Sequence, residues 1–129
     1  MEDNATDAGL VREALEEHGV EGELTILLDG EQAIHFIQSI DLQAVSCPDL
    51  IIVDLNLPKR PGSDVLACVR RSVKCRQSPV VILTSSDARQ DRDEAMRLGA
   101  SRYIRKPLRL AEFIGLGEIF KAMIADAAE

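Results

Sequence analysis

Aromatic side chains are scarce in this 129-residue chain, which has three Phe, one Tyr and no Trp. Any core must therefore be aliphatic, and a hydrophobic content of 46% is enough to build one. No apolar run reaches the roughly 18 residues of a membrane-spanning helix. The first ten residues, MEDNATDAGL, are acidic and polar and lack the apolar stretch of a secretory signal. Bases are in deficit, 15 against 22 acids, for a net charge of −7. That argues against nucleic acid as a partner, because phosphate backbones need a basic surface; acidity alone reads as solubility. Cysteines are few and odd in number: Cys47, Cys68 and Cys75. Their spacing fits no zinc motif, and they read as reduced, part-buried thiols of a cytoplasmic protein. The length suits one domain.

What is present is alternation. Leu10, Val11, Ala14 and Leu15 lie at helical spacing within 5–18, and Ala33, Ile34, Ile37 and Ile40 repeat that pattern after Asp29-Gly30. A third helix is expected over 63–72 through Val65, Leu66 and Val69, and a fourth ends at Gly99. The last helix carries Leu110, Phe113, Leu116, Phe120 and Met123 on one face. Gly115 and Gly117 sit inside it, each costing about 1 kcal/mol of helix propensity relative to Ala. Between the helices run ELTILL (23–28), DLIIVD (49–54), PVVILT (79–84) and SRYIRKP (101–107). Continuous apolar runs such as DLIIVD mark strands covered on both faces. Strands alternating with helices predict a parallel α/β sheet, whose working groups gather at the strands' carboxyl ends.

The strand ends carry chemistry. DLIIVD ends in Asp54, PVVILT in Thr84, and SRYIRKP reaches Lys106 before Pro107. Glu2-Asp3 stand side by side ahead of the first helix. Brought to one sheet edge, these residues make three carboxylates, a hydroxyl and an ammonium. Clustered carboxylates repel, and a divalent cation relieves the repulsion. Mg²⁺ takes hard oxygen ligands, so two carboxylates and a backbone carbonyl suit it. A carboxylate so placed can attack phosphorus to form an aspartyl phosphate, with Lys106 and Thr84 on the phosphoryl oxygens. Taken singly, Asp54 also reads as a turn residue, Thr84 as a helix cap and Lys106 as a solvated charge.

The motifs EDN (2–4), DLNLPKRPG (54–62), LTSSD (83–87) and YIRKP (103–107) resemble those of response regulator receiver domains, the CheY-like family. The DLNLPK run is similar to that of stand-alone receivers serving phytochrome-type sensor histidine kinases. The resemblance implies a three-layer, flavodoxin-like, doubly wound parallel sheet of order 2-1-3-4-5 over a single domain, 1–129. It implies that Asp54 is the phosphoryl acceptor, with Mg²⁺ held by Glu2, Asp3, Asp54 and the backbone carbonyl of Asn56. Thr84 is then the switch hydroxyl, Lys106 the phosphoryl-binding cation and Tyr103 the aromatic switch residue. Asn56 and Ser86 flank the path of an attacking water and tune the phosphoryl lifetime. Where the family commonly has an acid before the loop glycine, this chain has Pro61, which fixes φ and removes an N–H.

The resemblance implies phosphorelay signalling rather than conventional enzyme catalysis: the chain promotes phosphorylation and dephosphorylation of its own aspartate. The expected partner is a sensor histidine kinase, with a homodimer possible through the last strand and its flanking helices, where Ile119 and Ile124 are candidate exposed residues. Neither nucleic acid nor membrane is expected as a partner. A dehalogenase-type phosphatase uses a similar set of groups but needs an acid where Asn56 stands. The alternative is a pseudo-receiver, a protein-binding module that is never phosphorylated. After residue 107 there is sequence for one helix, leaving no room for a helix-turn-helix output. Only Met1 precedes Glu2, so the first strand is nearly missing from this numbering. The expectation is four parallel strands, 23–28, 50–54, 79–84 and 101–104, with a slot between the first two and weakened metal binding.

Overall fold

The computed structural model describes residues 5–20, 30–43, 46–55 and 61–128. They form five helices and three strands, alternating from α2 onward: α1 (Ala5–Glu17), α2 (Gly30–Leu42), β1 (Ile51–Val53), α3 (Gly62–Arg71), β2 (Val80–Thr84), α4 (Arg89–Arg97), β3 (Arg102–Arg105) and α5 (Leu110–Ala128). The three strands form a parallel sheet in the order β1-β2-β3. Ile51 pairs with Val80 and Val53 with Ile82, while Val81 pairs with Arg102 and Thr84 with Arg105. The expected strands 50–54, 79–84 and 101–104 are therefore present to within a residue or two. The expected strand 23–28 lies outside the described residues, as does the slot beside it.

The period of two along each strand divides the core. Val80 and Ile82 face a layer containing Ala33, Ile37, Val65, Leu66 and Val69 from α2 and α3. Val81 and Leu83 face Val11, Phe113, Leu116 and Phe120 from α1 and α5. All five residues of β2 are buried, so its apolar run reflects cover on both faces. The result is the α/β/α three-layer, flavodoxin-like arrangement. The core is not wholly aliphatic: two of the three phenylalanines, Phe113 and Phe120, are buried, and Phe120 is the largest fully buried side chain among the described residues. Few aromatics still make a large contribution when each removes so much area from water.

Helix α4 ends as its glycine predicts. The Gly99 N–H donates to the Met96 carbonyl and the Ala100 N–H to that of Ala95, with Gly99 at φ +103°. This is the paired closure that a left-handed residue allows. Arg70 of α3 holds the same corner, donating from Nε to the Gly99 carbonyl at 2.8 Å and from Nη1 to the Ser78 carbonyl at 2.7 Å.

Cys47 and Cys75 form a disulfide with their Cα atoms 5.6 Å apart. The expectation of three reduced thiols is corrected here: the 28-residue separation carries no sign of pairing, and the fold brings the segment before β1 onto the turn before β2. Only Cys68 stays outside the bridge. Beside Cys75, Asp41 Oδ1 accepts the Ser72 hydroxyl at 2.6 Å and the Lys74 amide at 3.1 Å, and Ser72 Oγ in turn accepts the Cys75 amide at 3.0 Å.

Helices α1 and α5 pack closely at Gly117. A Cβ there would lie 2.2 Å from the Ala14 carbonyl oxygen and 2.5 Å from His18 Cδ2. Gly115 faces outward with nothing within 4 Å of such a Cβ, and nothing in the structure explains it. Gly117→Ala should therefore destabilise the fold by about 1–3 kcal/mol through overpacking, while Gly115→Ala should stabilise it by up to about 1 kcal/mol. Urea unfolding of both variants checks the opposite signs.

The hydrogen bond from Ser72, then that from the Lys74 amide, holds the Asp41 carboxyl below its ordinary value. A carboxyl depressed in the folded state contributes stability above its unfolded value of about 3.9, which is lost as pH falls through the folded value. The stability gap between the native chain and Asp41→Asn should thus be widest near neutral pH and shrink below about pH 4. Denaturant titrations across that range measure it.

Candidate functional site

The register of the sheet assembles the site. With Val53 opposite Ile82 and Thr84 opposite Arg105, the residues at or just past the three carboxyl ends are Asp54, Thr84 and Lys106. All of them come from the short list read in the sequence. Asp54 is 4% exposed and Thr84 fully buried. Lys106 Nζ donates to Asp54 Oδ2 at 2.7 Å, and its backbone N–H donates to the Thr84 carbonyl at 2.7 Å. Lys106 thus spans the mouth of the sheet from β3 to β1. A buried carboxylate needs a counter-charge in a medium that solvates it poorly, and the pair is short and charge-assisted.

Gly62 lies against the backbone of Asp54 and Leu55. The Gly62 N–H donates to the Leu55 carbonyl at 3.0 Å. A Cβ on Gly62 would lie 2.1 Å from the Asp54 carbonyl oxygen, closer than any side chain tolerates. Gly62 therefore fixes the backbone that aims the Asp54 carboxylate. The sequence analysis noted Pro61 before the loop glycine; a Pro-Gly dipeptide signals a bend but not which backbone the glycine touches.

Around Thr84 the contacts are local. Its Oγ1 accepts the Ser86 amide at 3.3 Å. Tyr103, half-buried on β3, donates its hydroxyl to the Ser86 carbonyl at 3.0 Å. Burial pushes the Tyr103 phenol above its ordinary value, with the Ser86 hydrogen bond acting in the opposite sense. The Arg92 guanidinium stands 5.9 Å from the ring centroid, within the reach of a cation–π contact. Ser86 Oγ donates to Asp91 Oδ2 at 2.6 Å. Asp91 and Arg92 were not singled out in the sequence, since contacts with Ser86 and Tyr103 leave no local pattern there. Ile119 and Ile124, expected to be exposed, are half-buried, and Ile119 packs against the α1–α5 core.

Glu2, Asp3 and Asn56, three of the four residues expected to hold Mg²⁺, lie outside the described residues. Among the described residues no group of three or more His, Cys, Asp or Glu could hold a metal. Asp54 supplies a hard carboxylate oxygen of the kind Mg²⁺ takes. That chemistry fits the ion. No helix among the described residues is long and apolar enough to cross a membrane.

The sequence matches the response regulator receiver domain family over residues 1–116. It is 35% identical over 113 residues to the response regulator Rcp1 of Synechocystis sp., covering 87% of this chain and 77% of that protein. The crystal structure of the phosphorylated cyanobacterial phytochrome response regulator RcpA superposes with a TM-score of 0.88 at 31% identity, covering 100% of this chain and 93% of that one. The Mn²⁺-bound form of Rcp1 superposes with a TM-score of 0.82 at 32% identity, covering 95% and 88%. With that match along most of its length, and with its acid, hydroxyl and lysine on three successive strand ends, the chain belongs to the response regulator receiver domains of two-component signalling.

Proposed function

We propose that this chain takes a phosphoryl group from a phosphohistidine of a phytochrome-type sensor histidine kinase onto Asp54 and switches a protein-binding face in response. The observation that carries the reading is the 2.7 Å Lys106–Asp54 pair, buried at the carboxyl ends of the strands. The Asp54 carboxylate oxygen attacks phosphorus, an O–P bond forms, and the P–N bond to the kinase imidazole breaks. Lys106 moves from the carboxylate to a phosphoryl oxygen, keeping its charge partnered, and the Thr84 hydroxyl donates to another. Asp54, with Glu2, Asp3 and the Asn56 carbonyl, would hold Mg²⁺, which offsets phosphoryl charge when bound. The Mn²⁺ in the Rcp1 structure supports a divalent ion here.

The chain acts on its own aspartate rather than turning over a substrate, and residues 1–129 read as a single receiver domain. The switching face is assigned to β3 with α4 and α5, where Tyr103 and half-buried Ile104 lie, and a homodimer through it is part of the reading. The cytoplasm is the compartment such a kinase implies, although a disulfide such as Cys47–Cys75 is uncommon there.

With acetyl phosphate and Mg²⁺ the chain should gain one phosphate in intact mass, and Asp54→Asn should gain none. Absence of the gain in the native chain would favour a pseudo-receiver that only binds partners. Gly62→Ala should slow the gain by about a hundredfold, as expected when a reacting group is displaced by about an ångström. Its time course against the native chain measures this, with a thermal melt to verify folding.

A further inference from the structure

Every polar group of Ser86 is engaged, each with a different part of the site. Its N–H donates to Thr84 Oγ1 at 3.3 Å, its carbonyl accepts the Tyr103 hydroxyl at 3.0 Å, and its hydroxyl donates to Asp91 Oδ2 at 2.6 Å. Ser86 Oγ also accepts the Ala88 amide at 3.2 Å. The hydroxyl at the end of β2 and the tyrosine of β3 therefore meet on one residue, and that residue is tied to α4 by one short bond to a carboxylate.

The anchor itself is fixed. Asp91 is half-buried in the first turn of α4, where the helix dipole favours a negative charge. Ala88, at the start of that helix, makes no side-chain cap. Nearby, Arg92 stands over the Tyr103 ring, and Arg105 pairs with Asp87 at 3.2 Å across the same loop. Thr84 can move in only two ways. It can give up the Ser86 amide, or it can take Ser86 with it. In the second case the carbonyl that holds Tyr103 moves too.

We infer that Asp91 is a positioning residue: by holding the Ser86 hydroxyl it makes Ser86 the rigid link through which Thr84 and Tyr103 move together. Without the Asp91 contact, the Ser86 peptide can rotate locally, and Thr84 can shift while Tyr103 stays where it is. The inference rests on phosphorylation of Asp54 as the event that moves Thr84. A contact serving only to start α4 would alter stability and leave the coupling intact.

The chain carries its own reporter, since Tyr103 is the only tyrosine and there is no tryptophan. The experiment follows tyrosine emission of the full chain during phosphorylation by acetyl phosphate and Mg²⁺, with the phosphate gain read by mass in the same samples. The native chain should gain phosphate and change its emission. Asp91→Ala should gain phosphate while the emission change per phosphate falls about fivefold or more, the range of an ordinary coupling free energy. Asp91→Asn keeps a carbonyl oxygen for the Ser86 hydroxyl and should retain most of the response. An undiminished response per phosphate in Asp91→Ala overturns the inference and leaves phosphorylation of Asp54 standing. A native chain that gains phosphate with no change in emission overturns it as well, and so does an asparagine variant as uncoupled as the alanine one. A native chain that gains no phosphate overturns the phosphorylation reading and this inference with it.

Discussion

A carboxylate buried at the mouth of a doubly covered sheet requires a positive partner, and Lys106 supplies it across the width of three strands. The rest of the site depends on that pairing. It requires β1, β2 and β3 to be parallel and in register, because only then do Asp54 and Lys106 emerge on the same edge. It also leaves Thr84 between them, fully buried and short of solvent to satisfy its hydroxyl. Breaking one partner of a buried pair leaves an uncompensated charge, a far larger penalty than losing the pair as a whole. A phosphoryl group on Asp54 would keep Lys106 partnered, which is why such an arrangement suits a reversible modification.

The two ends of the sheet are built differently. At the amino ends, the Cys47–Cys75 bridge, the Asp41–Ser72–Cys75 contacts and the Arg70 clamp tie loops to helices through covalent and many-fold hydrogen-bonded links. At the carboxyl ends, the connection between β2 and α4 is held by single hydrogen bonds and an exposed ion pair, each of modest net worth. Elements that move in a switch come from the less stable parts of a structure. The site thus sits on a firm base with a loop that small free-energy changes can rearrange.

Two glycines permit close backbone approach by the same physics. Gly117 lets the α1 backbone approach α5, and Gly62 lets a loop approach the carbonyl of Asp54. Both positions are unfavourable or unremarkable when read locally. Gly117 lowers helix propensity, and Gly62 looks like any turn residue after proline. In each case the requirement comes from a backbone atom supplied by a distant or returning segment, which no local pattern records.

The sequence by itself determined the alternation of helices and strands, the burial of β2 on both faces and the gathering of Asp54, Thr84 and Lys106 at one edge. These follow from apolar periodicity and from the rule that parallel sheets expose their carboxyl ends to ligands. The helix stop at Gly99 was legible for the same local reason, since only a left-handed residue closes that turn cheaply. Tertiary structure alone decided that Cys47 meets Cys75, that Lys106 reaches Asp54 at hydrogen-bonding distance, and that Ser86 joins Thr84, Tyr103 and Asp91. It also turned Ile119 inward and buried Phe120 completely in the α1–α5 layer. Those outcomes depend on which segments arrive at one point in space, and a contact between residues tens of positions apart leaves no periodic trace in the chain.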